Sequence, residues 1–241
     1  MVNRKTAIKI RKTHRYLGIF LGIQFLMWTV SGLYFSWTNI DEIHGDQFHR
    51  EVHKHTYTNL APINALMPKM PMHSLELRNV ANYPYYWVND SLLVDAFTGN
   101  AKNLITQEEA VKVAEMHVME GLKVKEVTLI TKTDKHHEYR ERPLPAYVIT
   151  YDHPENLMVY VAARDGSFQR LRHRSWRWFD FLWMTHTMDY EGRDNFNNLL
   201  LRAFSLLGLV TVLSGFVLWY TSSPTIRKFL NRIYSKKISI I

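Results

Sequence analysis

Residues Tyr16 to Ile40 contain no Lys, Arg, Asp or Glu, and Ala203 to Ile226 repeat that pattern near the other end of the 241-residue chain. A hydrocarbon core about 30 Å thick needs roughly 20 mainly apolar residues in helical form, and both stretches reach that length. Each is expected to be a transmembrane helix. A buried helix of a soluble core is the rival reading for the second, because its strongly apolar part, Ala203 to Tyr220, is only just long enough. The first is too long for the apolar region of a cleaved secretory signal, which runs about 7 to 15 residues. It continues through Trp28, Leu33, Tyr34, Phe35 and Trp37 and is read as a retained anchor.

The roughly 160 residues between the two stretches are enough for a domain with its own core. Thr106 to Glu109 reads T-x-x-E, a capping box, and Ala110, Val111, Ala114, His117 and Val118 follow at helical spacing, with Glu108, Glu109, Lys112 and Glu115 on the other side. An amphipathic helix is expected over Gln107 to Val118. Past Gly121 come the β-prone runs Val124 to Thr131, Ala146 to Tyr151 and Leu157 to Val161, and a turn at Asp165-Gly166 leads into Phe168 to Leu171. The periodicities predict an α+β module, a helix on an antiparallel sheet, carried between two transmembrane α-helices. Val94 to Gly99 and Val161 to Gly166 share V-x-A-x-x-G, and each follows strand-like runs (Leu75 to Leu77, Tyr85 to Val88 and Leu92 to Val94 in the first case). The echo suggests a duplicated unit, with the first copy the more degenerate.

Charge sharpens the topology. The net charge is +8, yet Arg4, Lys5, Lys9, Arg11, Lys12 and Arg15 before the first span and Arg227, Lys228, Arg232, Lys236 and Lys237 after the second hold 11 of the 30 basic residues and none of the 22 acids. The remainder is slightly acidic. Basic residues beside a span mark the cytoplasmic side, so both termini are expected in the cytoplasm and the central domain outside. The positive-inside pattern and anionic lipid account for the basic balance without nucleic acid. No cysteine is present, so the exported part has neither disulfides nor thiolate chemistry and is stable by packing alone, as suits a bacterial periplasm.

T-x-E-E-A-x-x-x-A at Thr106 to Ala114 and V-Y-V-A-A-R-D-G at Val159 to Gly166 resemble a PepSY domain. R-K-x-H-R-Y-L-G at Arg11 to Gly18, the Ser31-Gly32 and Ser214-Gly215 pairs, and L-W-M-T-H-T at Leu182 to Thr187 resemble the PepSY-associated transmembrane proteins. The similarity divides the chain into 1–43 (basic segment and first span), 44–100 (a degenerate PepSY-like unit), 101–172 (the PepSY domain) and 173–241 (an interfacial helix, the second span and a basic tail). Larger members of the group have four spans and include inner-membrane reductases of siderophore-bound iron that carry b-type haem on histidines. The resemblance therefore implies haem b here, and a role in reducing ferric iron at the periplasmic side.

Among the 12 histidines, His14 at the mouth of the first span and His186 before the second stand where the resemblance places ligands. Both can also be read as ordinary interfacial side chains. The topology puts them at opposite faces, roughly 30 Å apart, so they do not share an iron. On the outer side His44 and His49 follow the first span and would come within reach of His186 if its helix continued past Trp37. On the inner side only His14 exists, so a second ligand there has to come from a second copy or a partner membrane subunit; Gly18 and Gly22 offer a small-xxx-small face for that contact. Trp176, Phe179, Leu182, Trp183 and His186 recur at helical steps, predicting an interfacial helix with Arg174, Arg177 and Asp180 largely elsewhere. It is either an anchor or a lid over an outer cofactor site. Gln24, strongly polar within the first span, is expected to face a partner helix rather than lipid.

His49, His53 and His55 with Asp46 and Glu51 would suit a divalent cation only in a helix, and a solvated juxtamembrane stretch is the simpler account. His136-His137 reads as a polar loop and His117 as a packed histidine. No nucleophile elbow, Walker loop, dinucleotide fingerprint or H-E-x-x-H occurs. Two functions remain: a haem-linked electron-transfer component whose partners are membrane lipid, a second copy or membrane subunit, and ferric siderophore; or a tethered PepSY module that binds or inhibits another protein without a cofactor. From the charge pattern, reporters fused after Lys5 and after Lys237 are expected to be active only in the cytoplasm and one inserted at His136 only outside; a cytoplasmic signal at His136 overturns the topology.

Overall fold

The computed structural model describes residues 4–52, 55–66 and 71–225. In chain order the helices are α1 (Arg4–Trp37), α2 (Ile40–His44), α3 (Ile63–Leu66), α4 (Gln107–His117), α5 (Arg174–Thr187) and α6 (Leu199–Ser222). The strands are β1 (Leu75–Val80), β2 (Tyr83–Val88), β3 (Leu92–Asp95), β4 (Ala101–Lys102), β5 (Val124–Ile130), β6 (Ala146–Tyr151), β7 (Met158–Ala162) and β8 (Phe168–Arg172). They form two compact units, one of Thr38–Phe181 and one that joins the described residues up to Trp37 with those from Leu182 on.

In the second of these, Ile8–Trp37 of α1 and Leu199–Tyr220 of α6 are long and apolar enough to cross a membrane. The basic residues Arg11, Lys12 and Arg15 belong to α1 itself. The two helices run antiparallel. Gly208, Thr211 and Gly215 line one face of α6 at helical spacing, and the rings of α1 fill that face: a Cβ added at Gly208 would stand 3.1 Å from Phe25, and one at Gly215 would stand 3.3 Å from His14. Small residues let helices approach in lipid, where dispersion and hydrogen bonding drive association. Phe20 stacks on Phe204 at 5.6 Å, and Leu21 is fully buried. Gly18 and Gly22 lie off this seam, since a Cβ at either meets nothing within 4 Å.

The Thr38–Phe181 unit contains two four-stranded antiparallel meanders in sequential order, β1 to β4 and β5 to β8. Thr106 and Glu109 complete the capping box at the start of α4, with the Glu109 side chain accepting from the Thr106 N–H and the Thr106 hydroxyl oxygen from the Glu109 N–H. Ala110 and Ala114, both fully buried, let α4 settle onto β6, β7 and β8. Val80, Tyr85, Trp87 and Leu93 of the first meander share one core with Ile149, Val159, Val161 and Leu171 of the second. Phe48 enters the same core from the N-terminal side.

The two V-x-A-x-x-G segments occupy equivalent turns, from the third strand to the fourth of each meander. Gly99 N–H donates to the Asp95 carbonyl at 2.9 Å and Gly166 N–H to that of Ala162 at 3.0 Å, both glycines at positive φ. At Gly166 the missing side chain also matters, because a Cβ would fall 2.7 Å from Val80. Arg78 of β1 pairs with Asp165 beside it.

The first helix does not continue past Trp37: the Asn39 side chain accepts the Asp41 N–H and starts α2, and Gly45, at φ 88°, ends it. His44 and His49 therefore do not ride on an extension of α1. The charged residues of α5 that lie off its aromatic face have protein partners. Arg177 makes a two-pronged pair with Glu138 (2.6 and 2.9 Å), the buried Asp180 takes Arg140 at 2.9 Å, and the Arg172 guanidinium sits 3.8 Å over the Trp176 ring. The segment around His136-His137, read as a polar loop, carries Tyr139, which is fully buried and stacked on Tyr160 at 4.7 Å.

His173, at the β8–α5 junction, is 1% exposed and its Nε2 lies 3.1 Å from the Ile43 carbonyl. Burial holds the pKa of His173 and of His117 below the ordinary 6.5. The unfolded chain then binds more protons between the folded and ordinary values, so domain stability rises with pH through that window and is lost as pH falls below about 6.5. A thermal scan of the purified protein is expected to show the domain transition falling from pH 7 to pH 5, and a flatter profile in His173→Asn. Ala114→Asp is expected to cost of order 3 kcal/mol or more in denaturant titration, with exposed Lys112→Ala nearly neutral; equal stability would contradict the α4 packing.

Candidate functional site

His14 lies on the face of α1 turned to α6, in the hollow that Gly215 leaves. Its Nδ1 meets the Ser214 hydroxyl at 2.7 Å. Among the described residues no other hydrogen bond to this ring occurs, and Nε2 has no partner there. Beside it Val212, Gly215, Phe216 and Trp219 line an open apolar groove of about 410 Å³ on α6.

At the other end of α1 the arrangement recurs with the roles exchanged. His186, in the last turn of α5, places its Nδ1 2.7 Å from the hydroxyl of Ser31, which is fully buried on α1. Phe35 and Trp28 stand beside the imidazole at ring distances of 5.6 and 6.5 Å, and Trp183 packs edge-on against Phe35. The ring is held by its backbone as well. A helix C-terminus leaves carbonyls without intrahelical donors, and three successive ones at the end of α5 receive side chains. Gln24 donates to the Thr185 carbonyl at 3.3 Å, Trp28 to that of His186 at 2.7 Å, and Asn198, the N-cap of α6, to that of Thr187 at 2.9 Å. Gln24 thus faces a partner helix. Following α5, the carboxylate of Asp189 is buried and collects the N–H groups of Gly192 and Asn195. Its desolvation is outweighed by those donors, which keep it ionised to lower pH than an ordinary aspartate.

Seventeen residues of α1 separate His14 from Ser31, about 25 Å of helical rise. The structure therefore builds two histidine sites at the two ends of the helix pair and does not bring them together. His44 and His49 belong to the other unit: His44 is the exposed last residue of α2, and the His49 ring packs edge-on against Phe168 while its backbone bridges to Val118. Asp46 lies in a single 3-10 turn, Asp46–Phe48, and His49 after it has extended backbone. His53 lies outside the described residues, as do Ile226 and the five basic residues of the tail. The His117 ring lies against Phe168 at 4.6 Å, with Nδ1 donating to the Val113 carbonyl.

A family model described as PepSY-associated TM region matches residues 2–222. The chain belongs to the PepSY-associated transmembrane family. Comparison with curated proteins and with solved structures gives no match. In this PepSY-associated chain the residues that sequence reasoning did not assign to the site are Ser31, Ser214, Trp28 and Asn198. Both serines were visible in their Ser-Gly pairs, but their partners stand 155 and 200 positions away. A helical-phase comparison of His14, Leu21 and Phe25 with Gly208, Thr211 and Gly215 is the signal that would have joined the helices.

Proposed function

We propose that this PepSY-associated membrane protein is a haem-bearing electron-transfer component of a bacterial inner membrane, delivering electrons to ferric iron held by a siderophore on the side of its soluble domain. The observation that carries the reading is the pair of histidines at the two ends of α1, each gripped through Nδ1 and with no partner for Nε2 among the described residues. This donor set fits haem b: an imidazole nitrogen is the usual axial ligand, and the surroundings are apolar and aromatic at both ends. His14 and His186 would hold the two groups. Bound haem supplies one-electron chemistry between ferric and ferrous iron. The chain's own residues fix the imidazoles, pack Phe35 and Trp28 beside that of His186, and set a spacing close to the thickness of a bilayer core. At His14 a second copy or a partner subunit completes the site, over the open face of Gly18 and Gly22.

A tethered binding module without a cofactor is the second reading, favoured by one feature: β1 is an edge strand with Leu75 and Leu77 about half exposed (44% and 49%), a form that can accept another chain by strand addition. Absorbance of the purified protein after haem-replete expression separates the two. A Soret band that shifts on reduction is expected. His186→Ala should remove one part of it and His14→Ala another, both with normal membrane insertion, and His44→Ala and His49→Ala identify a second ligand. A colourless parent protein defeats the haem reading and leaves the binding module.

A further inference from the structure

The hydrogen bonds around Ser31 and Ser214 determine more than the position of the two imidazoles. A serine hydroxyl has one proton and two lone pairs. Ser31 Oγ lies 2.7 Å from the Met27 carbonyl and 3.2 Å from that of Trp28, both acceptors only, so its proton is committed to the backbone of α1. Ser214 Oγ lies 2.7 Å from the Thr211 carbonyl, and its proton is committed to the backbone of α6 in the same way. Each hydroxyl can then meet an imidazole only as an acceptor. The Nδ1 atoms 2.7 Å away must be the donors, His186 to Ser31 and His14 to Ser214.

We infer that Ser31 and Ser214 are positioning residues that hold His186 and His14 in the Nδ1–H tautomer and so present each Nε2 lone pair to a metal centre. In water a neutral histidine side chain carries its proton mainly on Nε2, which would block that nitrogen as a ligand. Here the proton is drawn to the other side of the ring. A donor bond from the distal nitrogen also raises the basicity of the ligating one, which favours ferric over ferrous iron and lowers the potential. The same bonds tie ligation to helix pairing, because Ser214 reaches His14 across from α6 and Ser31 reaches His186 across from α1. At the His14 end the ring depends on Gly215 having no side chain, since a Cβ there would stand 3.3 Å from Cε1.

This inference takes the haem reading as the reason for the tautomer, but the tautomer can be measured without haem. Long-range proton–nitrogen NMR of the full chain, labelled with ¹⁵N-histidine in detergent micelles and prepared free of haem, distinguishes Nδ1–H from Nε2–H by nitrogen shift. His14→Ala and His186→Ala assign the signals. Nδ1–H is expected at both positions. Ser31→Ala should return His186 alone toward Nε2–H, Ser214→Ala should do so for His14 alone, and Ser214→Thr, which keeps the hydroxyl, should restore the parent signal. An Nε2–H signal at either histidine in the parent, or a tautomer unmoved by loss of its serine, overturns the assignment. In the haem-loaded protein each Ser→Ala variant should raise the midpoint potential of its own haem component, leave the other unchanged, and weaken haem retention about 10- to 100-fold. A parent that shows Nδ1–H at both histidines but binds no haem refutes the functional reading while the tautomer assignment stands.

Discussion

Inside a bilayer no water is available to a polar group, so a carbonyl, hydroxyl or imidazole brought into the apolar helix unit has to find its partner within the protein. The arrangement of α1, α6 and the end of α5 follows from that requirement. Three carbonyls of α5 take Gln24, Trp28 and Asn198; the hydroxyls of Ser31, Thr211 and Ser214 bond back to their own helices; and the two imidazoles take the serine lone pairs that remain. Leaving one such group unpaired costs free energy comparable to a lost hydrogen bond, which makes each partner specific to its place. The small residues on α6 are what bring the groups into range, because Gly208 and Gly215 let the helices approach to side-chain contact.

The Thr38–Phe181 unit is held together by different means. The two meanders and α4 share one apolar core, with Ala110 and Ala114 where the helix meets the sheet. Around the start of α5 the unit instead uses charge. Glu138 with Arg177 and Asp180 with Arg140 are poorly hydrated pairs, and such pairs are better understood as fixing one arrangement than as sources of net stability, since desolvation cancels much of the attraction. They fasten the first turns of the same helix whose last turn carries His186.

The elements were largely legible in advance because they follow from local rules. The capping box at Thr106, the alternation in β6 and the apolar length of α6 each depend on residues close in sequence; the observed bounds of α4 and β6 differ from the expected ones by at most one residue, and α6 starts four residues earlier than expected. The repeated V-x-A-x-x-G was visible as a string of letters; that its two copies make the same hydrogen bonds at the same turn of each meander was not. What the local pattern left open was decided by a competing local signal or a distant partner. The first span ends at Trp37 and Asn39 starts a separate short helix, so the condition under which His44 and His49 would follow α1 is not met, and Glu138 and Arg140, distant in sequence, pair with Arg177 and Asp180 of α5.

The sequence by itself determined that this chain has two membrane-length helices around an α+β domain, that its flanking charge is basic, and that His14 and His186 stand near the ends of the spans. Those properties reside in composition, period and length. Only the tertiary structure decided which hydroxyl each histidine meets, which nitrogen it leaves bare, and which face of α1 is used. Hydrogen bonds between residues 155 and 200 positions apart depend on the rotational phase of two packed helices, and no window along the chain contains that phase.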